Sequence, residues 1–242
     1  MLRRVTPSID AIRANAEEIR ERISSAAARA GRDPDGVRVV AAAKTVDADR
    51  VRSAIEAGIS SIGHNYVQEL AAARAEIDDP AVRWHYIGAL RSGTATRVAD
   101  LADVVETVAG ERAARRLAGR AARSGRVLDA LVEVDFTGTR PGVPPGRVPQ
   151  LAEAISSLEG LHLRGLMTVP PIGAEAEDAR PWFARLRELS DGVRRTHPDV
   201  LELSMGMSLD YEVAVEEGAT MVRIGTALFG PRPAPGTDRP GP

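Results

Sequence analysis

The sequence predicts a closed barrel of eight parallel β-strands wrapped by α-helices, an α/β fold of the (β/α)8 TIM type, with one additional helix at the N-terminus. Three observations predict it. Short apolar segments recur eight times, each separated from the next by a stretch of helical character. The length of 242 residues suits one such domain. No G-x-G-x-x-G turn opens the first strand–helix unit, as expected of an open dinucleotide-binding sheet. Alternation alone also fits an open doubly wound sheet, so the count of eight argues for closure.

Taken in order, residues 8–30 carry Ile9, Ile12, Ala16, Ile19, Ile23 and Ala27 at spacings of three and four, an amphipathic helix with Ser8 as its N-cap. Gly31 to Gly36 is a loop. Strands are predicted at Val37–Ala43, Ser60–Gly63, Val82–Gly88, Val104–Thr107, Leu128–Asp135, Leu161–Thr168, Leu201–Ser204 and Met221–Ile224. Helices are predicted at 47–57, 66–76, 92–101, 110–124, 147–159, 176–195 and 209–217. Residues 1–230 are expected to form one domain. Residues 231–242 form a tail rich in proline and glycine, a composition that cannot build a packed element.

Composition narrows the function. A formal net charge of −2 argues against a nucleic-acid-binding protein. The arginines at 112, 115, 116, 120 and 123 read as a solvated helix face. With no cysteine, thiol catalysis, disulfides and Cys-ligated metals are excluded. His64 and His85 lack a third ligand at helpful spacing, so no metal is expected. No apolar run approaches the ~18 residues of a membrane span, and Met1 to Asp10 lacks the apolar segment of a signal peptide. The expected location is the cytoplasm.

Lys44 is the only lysine; every other basic residue is arginine. Arginine serves ion pairs and phosphate contacts, but it cannot attack an aldehyde to form an imine, as a neutral amine does. Lys44 follows the first strand directly, at the barrel end where functional groups gather. A second candidate is Met221 to Gly230, where an apolar strand runs into Gly225-Thr226 and a short helical segment. Amides at such a turn suit an anion, and the last strands of these barrels commonly hold a phosphate. Ser208, before the helix at 209–217, is either a cap or a further phosphate donor, and Met205 and Met207 suit a ring face or the core. In Trp84-His85-Tyr86-Ile87-Gly88, alternation sets Trp84, Tyr86 and Gly88 on one face and His85 and Ile87 on the other. Asn65, in the turn after the second strand, suits a cofactor hydroxyl or a helix cap.

These segments together resemble one family. AAAKT (41–45), GHNYVQE (63–69), WHYIG (84–88), LRGLMTVPP (163–171) and the run 203–230 are similar, in this order, to the pyridoxal 5′-phosphate (PLP) homeostasis proteins, whose barrel is like the N-terminal domain of alanine racemase. The resemblance implies a single, monomeric barrel carrying PLP as a Schiff base on Lys44. It also implies phosphate contacts at Ser208, Gly225 and Thr226, Arg223 by the ring nitrogen, and Asn65 close to the cofactor; Met207, by its residue type, is expected beside it too. PLP-dependent apo-enzymes are the recipients it suggests; it implies no nucleic acid and no membrane. His64 stands where the family usually has Glu, Leu90 to Thr94 lacks the usual Gln, Asn and Lys, and Arg140-Pro141-Gly142 stands where a lysine is common. These departures put in doubt any handover of PLP through secondary lysines.

Two functional classes remain: a PLP carrier and a PLP-dependent racemase. Racemases of the alanine type use a tyrosine from a C-terminal β-domain, for which the twelve tail-like residues after Gly230 leave no room, and none of the three tyrosines is placed as that base. An arginine at the ring nitrogen cannot accept its proton, which weakens the ring as an electron sink. The carrier is the expected function. A Schiff-base aldolase on the same barrel explains Lys44 less well.

Overall fold

A computed structural model describes residues 9–231. The predicted Ser8 cap and the tail from residue 232 onward lie outside the described residues. The chain opens with α1 (Ile9–Arg29), then alternates strand and helix: β1 (Arg38–Ala42), α2 (Ala48–Glu56), β2 (Ser61–His64), α3 (Val67–Glu76), β3 (Arg83–Tyr86), α4 (Ala95–Leu101), β4 (Val104–Val108) and α5 (Glu111–Arg123). It continues through β5 (Leu128–Val134), α6 (Val148–Ser156), β6 (Leu161–Thr168), α7 (Arg180–Arg194), β7 (Glu202–Ser204), α8 (Tyr211–Glu216), β8 (Met221–Ile224) and α9 (Thr226–Phe229). The eight strands pair in chain order as a closed parallel barrel. Closure is made by β1 against β8, where Val40 faces Arg223 and Ala41 faces Ile224.

Two apolar compartments hold the fold. The larger lies between strands and helices and includes Ile62, Leu70, Leu117, Leu128, Ile155 and Phe183. A separate cluster of Val40, Val104, Leu131, Met167 and Met221, drawn from five strands, plugs the barrel's interior. Burying each such side chain contributes roughly 1.5–3 kcal/mol before chain entropy is charged against it. The apolar stripe of α1 (Ile12, Ala16, Ile19, Ile23) is buried, and polar contacts fasten the helix across the β1–β8 seam. Asn15 donates to the Leu228 carbonyl at 2.9 Å, and Arg29 pairs with Glu216 at 2.7 Å.

The predicted helix over 176–195 divides into a 3-10 turn (Ala176–Ala179) and α7. Pro181 supplies the reason: it has no amide hydrogen and fits only the first turn of a helix, so a new helix starts there. The arginines of α5 form surface pairs, Arg115 with Glu111 and Arg120 with Asp100, as a solvated face does. Among the described residues, no helix is long and apolar enough to cross a membrane.

Candidate functional site at the strand C-termini

Lys44 stands two residues beyond β1, half-buried, with its Nζ 5.3 Å from the centroid of the Tyr66 ring, within cation–π range. The chain then turns sharply. Thr45 has φ of +58°, left-handed backbone that a β-branched residue rarely adopts, and Asp47 caps α2 by accepting from the Arg50 amide at 3.0 Å. Glu69 of α3 lies behind this turn. Burial pushes its carboxyl above the usual range, and the Thr45 amide and the Lys44 charge oppose that rise.

Across the seam, Gly225 opens α9, whose first amides have no partner within the helix itself. The Ala227 amide is taken by Ser208, whose Oγ accepts from it at 3.1 Å. A side chain at Gly225 would start 3.3 Å from the Ala42 carbonyl, so glycine lets the tops of β8 and β1 meet closely. Lys44, Thr45 and Arg50 thereby face Gly225, Thr226 and Gly230 across one small cleft. Arg50 donates to the Phe229 carbonyl and leaves its positive charge at that edge.

Arg223 lies two residues before Gly225, buried inside the barrel. Its Nη1 donates to Ser204 Oγ at 2.6 Å and its Nη2 to the Thr168 carbonyl at 2.8 Å. Ser204 donates to Glu106 Oε2 at 2.5 Å, and Glu106 Oε1 is 2.6 Å from His85 Nδ1. Burial pushes Glu106 up, but the hydrogen bond from His85, the charge of Arg223 and the Ser204 hydroxyl outweigh it, so the carboxyl stays below its usual range. Burial lowers Arg223, against the pull of Glu106, Glu133 and Asp210.

The structure thus gathers Lys44, Gly225 and Thr226 on one cleft and ties Ser208 to the same turn. Half-buried Met207 sits beside Ser208, its amide bonded to Asp210 at 2.7 Å, while Met205 fills core. Asn65 stands apart: its Nδ2 donates to the Ile87 carbonyl at 3.4 Å and it does not line the cleft. The alternation read in β3 is observed, with Trp84 and Tyr86 in the outer core and His85 against Glu106. His64 faces the other way, stacked on Trp84 at 6.1 Å, and burial pushes it down to about 4. Sequence reasoning missed Thr45, Arg50, Tyr66, Ser204 and Glu106. A signal existed for Glu106, a lone charge inside the apolar strand Val104-Val105-Glu106-Thr107-Val108.

A primary amine, a guanidinium and a Gly-Thr helix start on one cleft complement a small molecule bearing both an aldehyde and a phosphate. By that chemistry the residues present fit PLP. The family model described as "Alanine racemase, N-terminal domain" matches residues 8–233. A pyridoxal phosphate homeostasis protein of Aquifex aeolicus is 39% identical over 88% of this chain and 94% of its own length. The structure of PipY from Synechococcus elongatus PCC7942 with PLP bound is 34% identical, covers 88% of this chain and 100% of its own, and superposes with a TM-score of 0.78. Alanine racemase of Clostridium difficile 630 shares the fold at 18% identity and a TM-score of 0.72, over 93% of this chain and 58% of its own. By that match and these relatives, the chain belongs to the alanine racemase N-terminal domain family and, within it, to the group of the pyridoxal phosphate homeostasis proteins.

Proposed function

We propose that this protein is a PLP carrier of the cytoplasm that serves intracellular PLP homeostasis, holding the cofactor covalently on Lys44 without sustained turnover. The observation that carries this reading is the convergence of the sole lysine with Gly225 and Thr226 on one cleft, although Lys44 and Gly225 stand 181 positions apart. When bound, PLP would supply an aldehyde, the electrophile for which the primary amine of Lys44 is the matching nucleophile.

The chain's own residues do the rest. Lys44 presents its amine within cation–π range of the Tyr66 ring. The amides of Gly225 and Thr226 and the Thr226 hydroxyl would hold the phosphate, and Arg50 would add a positive charge at the rim. Ser208 secures that turn through the Ala227 amide. Arg223 would be the donor to the ring nitrogen and could not take a proton from it, because a guanidinium is always charged. A ring kept neutral stabilises a carbanion poorly, which favours holding over turnover.

The test is an absorption spectrum of the purified protein with PLP, before and after borohydride, followed by peptide mass analysis. A visible band that borohydride removes, with pyridoxyl mass on Lys44, is expected; Lys44→Ala loses both. A colourless wild type, or an adduct elsewhere, overturns the reading. D-amino-acid formation from L-alanine at enzymatic rates would favour the racemase, with Tyr66 as the tyrosine beside Lys44.

A further inference from the structure

We infer that His85, Glu106 and Ser204 are positioning residues, forming a buried relay that fixes the plane of the Arg223 guanidinium against the bound cofactor. The inference rests on the carrier reading and deepens it. The relay joins four strands: His85 of β3, Glu106 of β4, Ser204 of β7 and Arg223 of β8, with the Thr168 carbonyl of β6 closing it. His85, Glu106 and Ser204 have no exposed surface, and Arg223 is 5% exposed.

The direction of every bond follows from the groups. A guanidinium has no acceptor, so Arg223 donates to Ser204 at 2.6 Å. The Ser204 hydroxyl is then free to donate only onward, to Glu106 Oε2 at 2.5 Å. An ionised carboxylate only accepts, so the His85 proton shared at 2.6 Å sits on Nδ1. With Nη1 and Nη2 both held, the planar guanidinium cannot rotate. Glu106 Oε2 lies 3.9 Å from Arg223 Nη1 and supplies counter-charge together with Glu133 and Asp210, while Arg140 opposes it.

Stability alone is a weak reason for this arrangement. Val40, Val104, Leu131, Met167 and Met221 fill the same barrel with apolar side chains, and a buried ion pair is often no better than such packing. A polar relay buried in the same barrel has a use if Arg223 must meet a ring at one angle.

The experiment compares wild type, Glu106→Gln, Ser204→Ala and the double variant, each loaded with PLP. Leu131→Ala serves as a packing control in the apolar plug. Readouts are the position of the visible band, PLP affinity by equilibrium dialysis, the borohydride adduct on Lys44 and the melting temperature of the apo protein. Both single variants are expected to retain the Lys44 adduct, shift the band and bind PLP about tenfold more weakly. The double variant should change no more than the stronger single, since both cut one relay. Leu131→Ala should melt earlier with the band unmoved. Wild-type band and affinity in both single variants, additive effects in the double, or the same band shift in Leu131→Ala would each overturn the relay. A wild type with no adduct on Lys44 fails the carrier reading itself, a result separate from these.

Discussion

The two ends of the barrel use the same side chains to opposite effect. At the strand N-termini, Arg38 pairs with Glu202 at 3.5 Å and Arg83 with Asp129 at 2.7 Å, with the arginines more than two-fifths exposed. Near the C-terminal mouth, Arg223 meets Glu106 through Ser204 with almost no solvent. Water screens the first pairs and holds their ions nearly as well unfolded as folded, so they contribute little. The second set has lost its water, so each ion depends on its partners and geometry is enforced. Burial, rather than residue type, separates a surface ornament from a site.

Cutting one partner from each set tests that contrast. Glu106→Ala strands Arg223 inside the barrel and should cost about 3–5 kcal/mol in urea unfolding of the apo protein. A loss below about 1 kcal/mol, the surface-pair scale, would erase the distinction. Next in size is an acid effect at the C-terminal mouth. His64 is buried and lowered from 6.5 to about 4, so the unfolded chain takes up its proton first as pH falls. The folded state therefore keeps its full stability above about pH 6.5 and loses up to about 3 kcal/mol by about pH 4 through this group. His64→Asn should flatten that part of the pH profile, and an unchanged profile would place the proton uptake elsewhere.

Smaller still is the backbone at Thr45, held at φ +58° beside Lys44. Thr45→Gly relieves left-handed strain but gives the unfolded chain more freedom, so a net gain of about 0.5–1 kcal/mol is expected by thermal melting. A marked loss would mean that the Thr45 side chain holds the turn. The smallest effect belongs to the opposite end: Asp129→Asn should change stability by less than about 1 kcal/mol, and less again in 1 M salt.

Much of the architecture was legible because helical and strand periodicities are local properties. The stripe of α1 and all eight strands fall where spacing put them, within a residue or two at most ends. Lys44, Gly225 and Thr226 were legible for another reason: a unique amine and a strand-to-Gly-Thr turn carry their chemistry in the residue type. Asn65 is less legible: its type suited a cofactor hydroxyl or a helix cap, and in the fold its Nδ2 donates to the Ile87 carbonyl.

The amino-acid string therefore settled the repeat, the order of elements and the place of the sole lysine just after a strand, since each depends on neighbours a few residues away. Closure of β8 on β1 decided that Lys44 and Gly225 share a cleft. It likewise took four strands folded together to bring His85, Glu106, Ser204 and Arg223 within hydrogen-bonding range. Those relations belong to residues as far as 119 to 181 positions apart in pairs such as Ser204 with His85 and Gly225 with Lys44. No local pattern encodes them, because desolvation and contact at that range exist only once the barrel has closed.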